Sequence, residues 1–309
     1  MGFTAADVKN LREMTGVGML DCKKALAESD GDMDKAVEYL REKGLAAAQK
    51  KAGRIAAEGM ACAVIADGIG AMVEVNAETD FVAQNDKFIE FSKNVAAVVA
   101  KENPADMDAL LAKPYPATGR TVQEEQQEMV LVIGENIKIR RFTRFADGVT
   151  VPYNHMAGRI GVLVNMEVSA GLEANETVTE LGKDIAMQIA AMNPSFLDKS
   201  DVNQDTLDKE REILMAQAKA ENETAKKPKP DNILEKMVEG RISKYYEENC
   251  LLQQAFVKEN RVSVEQHVAA VAKELGGSIT VKSFVRYEKG EGIEKKEDNF
   301  AAEVASMMQ

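Results

Sequence analysis

Few side chains in this sequence have the type and spacing that bond chemistry requires. The only two histidines, His155 and His267, are far apart in the chain, so no sequence-local pair of imidazoles can hold a metal ion. The three cysteines are odd in number and widely separated, at Cys22, Cys62 and Cys250. Disulfide frameworks and zinc knuckles use closely paired cysteines, so we expect neither, and a reducing compartment is the simplest location.

The usual phosphate-binding and nucleophile motifs are absent. No G-x-x-x-x-G-K-[ST] loop and no G-x-S-x-G elbow occurs, and the glycine-rich stretch at 16–18 lacks the third glycine of a dinucleotide loop. We therefore expect no cofactor, no bound metal and no enzymatic activity in the chain itself.

Composition narrows the class of partner. The 309 residues are 45% hydrophobic and 29% charged, enough for two or three domains with a sizeable core. The net charge of -12 disfavours nucleic acid, because it repels phosphate backbones. No apolar run approaches the roughly 20 residues of a membrane-spanning helix. We expect a soluble, cytoplasmic protein that binds no membrane.

The first 54 residues predict a small helical docking module. Thr4 can cap a first helix, the turn at 15–18 separates it from a second, and a third helix begins at Asp32 and ends at Gly44. The stretch 45–53, rich in Ala and Lys, is typical of a linker. Three short helices of this kind resemble ubiquitin-associated-type modules, so residues 1–54 predict a tethered recognition head.

The periodicity changes after this module. Residues 60–66 and 69–76 alternate with period two around Asp67 and Gly68, which predicts a β-hairpin with a type I′ turn. A helix with one apolar stripe follows it, formed by Phe88, Phe91, Val95 and Val98.

An internal repeat indicates two related halves. Residues 69–75 resemble 160–166, and residues 134–145 resemble 276–287. We predict an α+β fold with two α/β sandwich-type core halves of antiparallel strands. The first half comprises 55–147, and the second comprises 148–193 plus 239–288.

The second half carries an insertion at 194–238. Its polar helix, proline-containing turn and returning helix predict an antiparallel helical hairpin that protrudes, and a homodimer through this hairpin stays open. The last module, 289–309, predicts a helix that must dock on something, because an isolated helix of about three turns is marginal in water. Its apolar face consists of Phe300, Val304, Met307 and Met308.

The sequence Thr79-Asp80-Phe81-Val82 lies where the second strand gives way to the helix. One interpretation makes Phe81 a protruding wedge on a rigid tip. The other makes it a buried extension of the stripe seven residues ahead of Phe88, with Asp80 an ordinary helix cap, and spacing alone favours this second interpretation.

Five stretches in this order resemble bacterial translation elongation factor Ts. They are residues 11–12 with 15–26, residues 75–83 around Thr79-Asp80-Phe81-Val82, residues 134–137, His155 with residues 159–164, and residues 284–287 with 290–295. Short motifs are weak singly, but their order, the repeat and the insertion agree with that family's architecture.

The resemblance implies a guanine-nucleotide exchange factor that binds the GTPase elongation factor Tu and releases its GDP. It places Arg12, Met19 and Leu20 of the N-terminal module on the GTPase domain. It places Asp80 and Phe81, within the motif that Thr79 and Val82 complete, at the helices beside the magnesium site. By the same resemblance His155 lies near the interface and the C-terminal helix packs on the partner.

Two alternatives stay open beside this one. The chain could be a ubiquitin-associated-type adaptor without exchange activity, or an enzyme whose site the sequence does not reveal. One departure from the family pattern also stands: Gln84 occupies a position that is often basic, which puts any ionic contact there in doubt.

Overall fold

The computed structural model describes residues 2–116, 118–225 and 227–294. The elements within these ranges confirm the predicted α+β class. The helices are α1 Ala5–Thr15, α2 Met19–Glu28, α3 Met33–Lys51, α4 Asp80–Ala83, α5 Asp86–Glu102, α6 Met107–Leu111, α7 Val122–Ile133, α8 Glu176–Met192, α9 Gln204–Glu223, α10 Asp231–Asn249 and α11 Val264–Glu274. The strands are β1 Glu58–Ala66, β2 Ile69–Ala77, β3 Lys138–Phe145, β4 Val149–His155, β5 Ile160–Val168, β6 Ala255–Phe256, β7 Glu259–Ser263 and β8 Ile279–Glu288.

The chain divides into two compact units. The first comprises Met1–Arg144, Asn154–Gly161 and Tyr287–Gln309, and the second comprises Phe145–Tyr153 and Val162–Arg286. The domain boundaries expected from the sequence remain a prediction. The expected C-terminal helix lies outside the described residues.

The N-terminal helices form as expected, with one difference in the third. Thr4 caps α1 in a capping box with Asp7, and Asp32 caps α3. Gly44 does not end α3, which continues to Lys51, so most of the predicted linker is helix. Gly44 is buried against Leu131 of α7, and this packing offsets the helix-breaking tendency of glycine.

The first unit contains the predicted hairpin. Strands β1 and β2 pair antiparallel from Glu58↔Ala77 to Ala66↔Ile69 around Asp67 and Gly68, and β3 adds to β2. Both turn residues have positive φ, 52° and 79°, as a type I′ turn requires. The apolar stripe of α5 packs on this sheet, with Phe88 and Phe91 almost fully buried.

The second unit contains the sheet of order β4-β5-β8 and the helical hairpin. Helices α9 and α10 pack through a small apolar seam formed by Ala218, Leu234, Val238 and Ile242. Helix α10 continues through position 238 to Asn249 before the chain reaches β6 and β7.

The internal repeat is visible in the helix termini. Helices α5 and α8 are both 17 residues long, both begin after an asparagine cap, and both end at an asparagine with φ 45° and ψ 56°. The two repeated strand segments form the middle strand, β2 or β5, and the last strand, β3 or β8, of each three-stranded sheet. The two core halves therefore share one local design.

A buried carboxylate anchors the start of the C-terminal stretch on the first unit. Glu74 of β2 is fully buried and accepts from Arg140 Nη1 at 3.1 Å and Arg141 Nε at 2.5 Å. The backbone amide of Gly290 donates to the same carboxylate at 2.8 Å. A buried charge is tolerated only when it is paired and hydrogen-bonded, as this one is.

We predict that Glu74→Ala lowers the free energy of unfolding by about 3–5 kcal/mol, because it leaves two half-buried guanidinium groups without their carboxylate. Urea unfolding measures this loss. The matched control is Glu13→Ala, which removes an exposed pair with Lys9 and costs less than about 0.5 kcal/mol. Equal effects of the two changes would contradict the assigned role of Glu74.

Candidate functional site

The segment from Thr79 to Val82 forms a short tip at the end of β2. Val82 is 7% exposed and packs into the core of the first unit, whereas Phe81 beside it is 81% exposed. Asp80, the first residue of α4, is exposed as well. The tip therefore combines an inward anchor with an outward aromatic ring.

The interpretation of Phe81 as an extension of the core stripe is wrong. Helix α4 ends at Ala83 with Gln84 as its C-cap, and Asn85 has extended φ and ψ of -76° and 126° as the N-cap of α5. This break shifts the helical phase between Phe81 and Phe88, so their spacing of seven places them in different environments.

A carboxylate from a distant part of the chain holds this tip. Glu135 Oε2 accepts the backbone amides of Glu78 and Thr79, each at 3.0 Å. Its other oxygen, Oε1, accepts the Thr79 hydroxyl at 2.7 Å. Thr79 therefore directs its side chain to Glu135 and makes no helix-capping bond. We call these three hydrogen bonds the Glu135 clasp.

The residues next to the clasp, Glu78 and Asn136, make further hydrogen bonds between the same two segments of the chain. Glu78 Oε1 accepts the backbone amide of Asn136 at 2.6 Å, and Arg54 Nη1 lies 3.4 Å from the same oxygen. The Asn136 side chain donates to the carbonyl of Arg54 at 2.8 Å. Hydrogen bonds to ionised groups are stronger than those between neutral groups. Because carboxylates of both segments, Glu78 and Glu135, accept such bonds, the tip is held firmly to residues 135–136.

The second core half joins its middle strand to its long helix by a different connection, which contains no helix equivalent to α4. Counting back from the asparagine caps Asn85 and Asn175, Phe81 corresponds to Gly171 and Thr79 to Ser169. Here Ser169 Oγ accepts the backbone amide of Ser278 at 3.0 Å, and no carboxylate takes part in that bond. Gly171 has a positive φ of 91°, and its amide donates to the nearby Glu173 carboxylate at 2.7 Å. The second core half therefore folds without an aromatic residue at this position and without the hydrogen bonds that Glu135 makes in the first half.

The N-terminal module exposes a second apolar group. Met19 and Leu20 begin α2 and are 45% and 84% exposed, next to the turn at 15–18. Val17 and Cys22 are fully buried and fix this end of the helix. Arg12 is exposed on α1, where its carbonyl accepts the Gly16 amide.

His155 ends β4 and is half-buried. It precedes a turn in which Met156 and Ala157 adopt positive φ, 47° and 53°. Asn154 fastens this turn to β1, because its side chain donates to the Ala63 carbonyl and accepts from the Ala63 amide, both at 2.8 Å.

Two methionines are exposed although no sequence pattern predicts it. Met14 is 65% exposed and Met156 is 64% exposed. Met14 follows Leu11 by three residues, a spacing that places it at the edge of the buried face of α1, so helical periodicity does not identify it as exposed. Met156 lies in a turn, where no periodicity applies.

The thiols are unsuited to nucleophilic chemistry. All three cysteines are free and buried. Burial raises the pKa of Cys62 to about 11 and that of Cys250 to about 11, so both stay protonated at neutral pH.

Within residues 2–116, 118–225 and 227–294, no group of three or more His, Cys, Asp or Glu side chains could hold a metal ion. None of the helices in that part of the chain is long and apolar enough to cross a membrane.

Comparison with known proteins gives one consistent result. The family model described as Elongation factor TS matches residues 78–291. Elongation factor Ts of Trichlorobacter lovleyi is 52% identical over 312 residues, covering 99% of this chain and 98% of the relative. Elongation factor Ts of Magnetococcus marinus is 48% identical over 311 residues, covering 100% of both. Elongation factor Ts of Clostridium perfringens strain SM101 is 50% identical over 309 residues, covering 99% of both.

The two phenylalanines provide a matched test of the tip. We predict that Phe88→Ala lowers the free energy of unfolding by about 3–5 kcal/mol, because it empties a fully buried site. Phe81→Ala should change it by no more than about 0.5 kcal/mol, because the ring is exposed. Urea unfolding of both variants measures the difference. A loss of several kcal/mol in Phe81→Ala would mean that the ring is packed in the free chain.

The role of the clasp can be tested by amide hydrogen exchange. In Glu135→Ala the amide protons of Glu78 and Thr79 should exchange with solvent at least about tenfold faster, because hydrogen bonds to a charged group are worth about 1.5–3 kcal/mol. Hydrogen exchange followed by NMR measures these rates, with Glu90→Ala as an exposed control. Unchanged rates at both amides would show that Glu135 does not hold the tip.

Proposed function

This chain belongs to the elongation factor Ts family, a family of translation elongation factors, and we propose that it is the guanine-nucleotide exchange factor of elongation factor Tu. In this function the chain makes and breaks no covalent bond. It binds the GDP-bound GTPase, promotes loss of GDP and remains on the nucleotide-free form.

The observation that carries this proposal is the exposed Phe81 ring on a braced tip. Most phenylalanines are buried, and an exposed one held out by a carboxylate clasp serves contact with another molecule. The second core half supports the same view, because it folds with Gly171 at the corresponding position. Folding alone therefore does not account for the aromatic residue.

The mechanism is a coupling of free energies between two ligands of one GTPase. An exchange factor that prefers the nucleotide-free form weakens GDP binding by the same factor by which GDP weakens its own binding. A coupling of about 4 kcal/mol corresponds to a roughly thousandfold change in affinity. Only contacts that differ between the two forms of the GTPase supply this free energy.

A rigid aromatic side chain is suited to supply such differential contacts. When Phe81 enters between two helices of the GTPase, those helices move and carry with them the loops that hold magnesium and phosphate. Asp80 adds a negative charge beside the ring, in the neighbourhood of a partner site that binds anions. Arg12, Met19 and Leu20 provide affinity at a second place on the GTPase, and His155 contributes near the interface.

The test is release of fluorescent GDP from elongation factor Tu. At micromolar concentration the wild-type chain should accelerate release. Phe81→Ala should reduce that acceleration at a fixed subsaturating concentration by about 30-fold or more, because an anchor in a desolvated pocket is worth about 2 kcal/mol or more.

Ile213→Ala on α9 is the matched control, since it also removes an exposed apolar side chain, 52% accessible, and should leave the acceleration unchanged. Absence of acceleration by the wild-type chain would refute exchange activity. Tight binding to the GTPase without any effect on GDP would instead favour the adaptor function.

A further inference from the structure

We propose that the N-terminal module and the Phe81 tip form one preassembled docking surface for the GTPase, because the module is packed on the core of the first unit. This inference rests on the proposed function and extends it. The surface consists of Met14, Met19 and Leu20 on the module and Phe81 on the tip. An occupant must offer two apolar sites at a fixed spacing.

The first support is the seam between α3 and α7. Leu131 and Val132 of α7 pack into the hydrophobic cluster of the module itself. Gly44 of α3 lies against α7, where an added Cβ would be 3.5 Å from the Gln127 carbonyl oxygen and 3.7 Å from the Leu131 side chain. The helices approach closely here, and there is space for a methyl group but not for a large side chain.

The second support is a contact that joins the seam to the clasp. The Lys51 ammonium at the end of α3 donates to the carbonyl of Gly134, the C-cap of α7. Gly134 directly precedes Glu135, which holds Thr79 and hence the Phe81 tip. A cation at a helix C-terminus is favourable, because the free carbonyls there carry partial negative charge.

The third support is a contact between α5 and the turn at 15–18, close in sequence to the exposed residues of the surface. Lys87 of α5 places its ammonium against Gly16, so close that a Cβ on Gly16 would clash with Nζ. Gly16 belongs to the turn between Met14 and Met19. Lys87 is six residues after Phe81, and hydrogen bonds from Gln84 to Phe81 and from Asn85 to Val82 stiffen the chain between them.

These contacts change how the partner is bound. A head on a flexible linker must find its site after the first contact forms, at an effective concentration set by the linker. A head already packed in place avoids most of this ordering cost. The preassembled surface therefore favours simultaneous contact at both apolar sites and should lower the chain concentration needed for exchange.

The test compares two substitutions at one position of the full-length chain. Gly44→Ala fits the available space and should behave as wild type. Gly44→Trp should separate α3 from α7 and release the module. Backbone amide NMR relaxation then reports whether residues 4–51 tumble with the core, and the fluorescent GDP assay reports exchange.

We expect the module to tumble with the core in wild type and Gly44→Ala, and faster than the core in Gly44→Trp. The concentration of Gly44→Trp that gives half-maximal acceleration should rise about tenfold, with a maximal rate within about twofold of wild type. Leu131→Asp, which acts on the other side of the seam, should reproduce this result if the tryptophan variant does not fold.

Independent tumbling of the module in the wild-type chain would overturn the proposal. A released module with an unchanged half-maximal concentration would overturn it equally. Failure of the wild-type chain to accelerate GDP release refutes the proposed function instead, and the relaxation data still decide whether the module and the tip are preassembled.

Discussion

The Glu135 clasp is the constraint on which the tip depends. One carboxylate binds two backbone amides and one hydroxyl at the point where β2 ends, and Glu78 returns a bond to Asn136. Val82 packs the short α4 onto the core, and the clasp fixes the backbone that leads into this helix, which as an isolated turn would be unstable in water. With this packing and the clasp, Val82 is held inward and Phe81 outward.

Burial of an exposed phenylalanine in a partner's pocket contributes several kcal/mol to the free energy of binding. An aromatic side chain buries on the order of 150 Å² or more when it enters a pocket, which at about 25 cal/mol per Å² amounts to roughly 4 kcal/mol. This binding free energy is of the same order as the proposed coupling, to which it contributes only if the ring is buried in the nucleotide-free form of the GTPase and not in the GDP-bound form. The rigidity of the clasp matters because a mobile ring would lose part of that free energy in becoming ordered.

The sequence predicted the features that depend on neighbouring residues. Asp67 and Gly68 located the hairpin turn, and the stripe of Phe88, Phe91, Val95 and Val98 located α5 and its buried face. Internal similarity identified two related halves, and the proline-containing turn separated α9 from α10. Local patterns suffice for such features, because turn geometry and amphipathic periodicity act over a few residues.

Features that depend on distant residues were not predictable in this way. The local sequence predicts a helix end at Gly44, whereas α3 continues through it because α7, from another part of the chain, packs against this glycine. The clasp joins Thr79 to Glu135 across 56 positions, and the sequence of residues 134–137 does not reveal this contact. The exposure of Phe81 followed from the extended Asn85, which spacing alone could not reveal.

The proposed mechanism depends on where the Phe81 ring lies in the complex. A crystal structure of the chain bound to nucleotide-free elongation factor Tu locates it most directly. We expect the ring to lie buried between two helices of the GTPase, with the Glu135 clasp intact. A ring that remains in solvent in that complex would contradict the proposed mechanism.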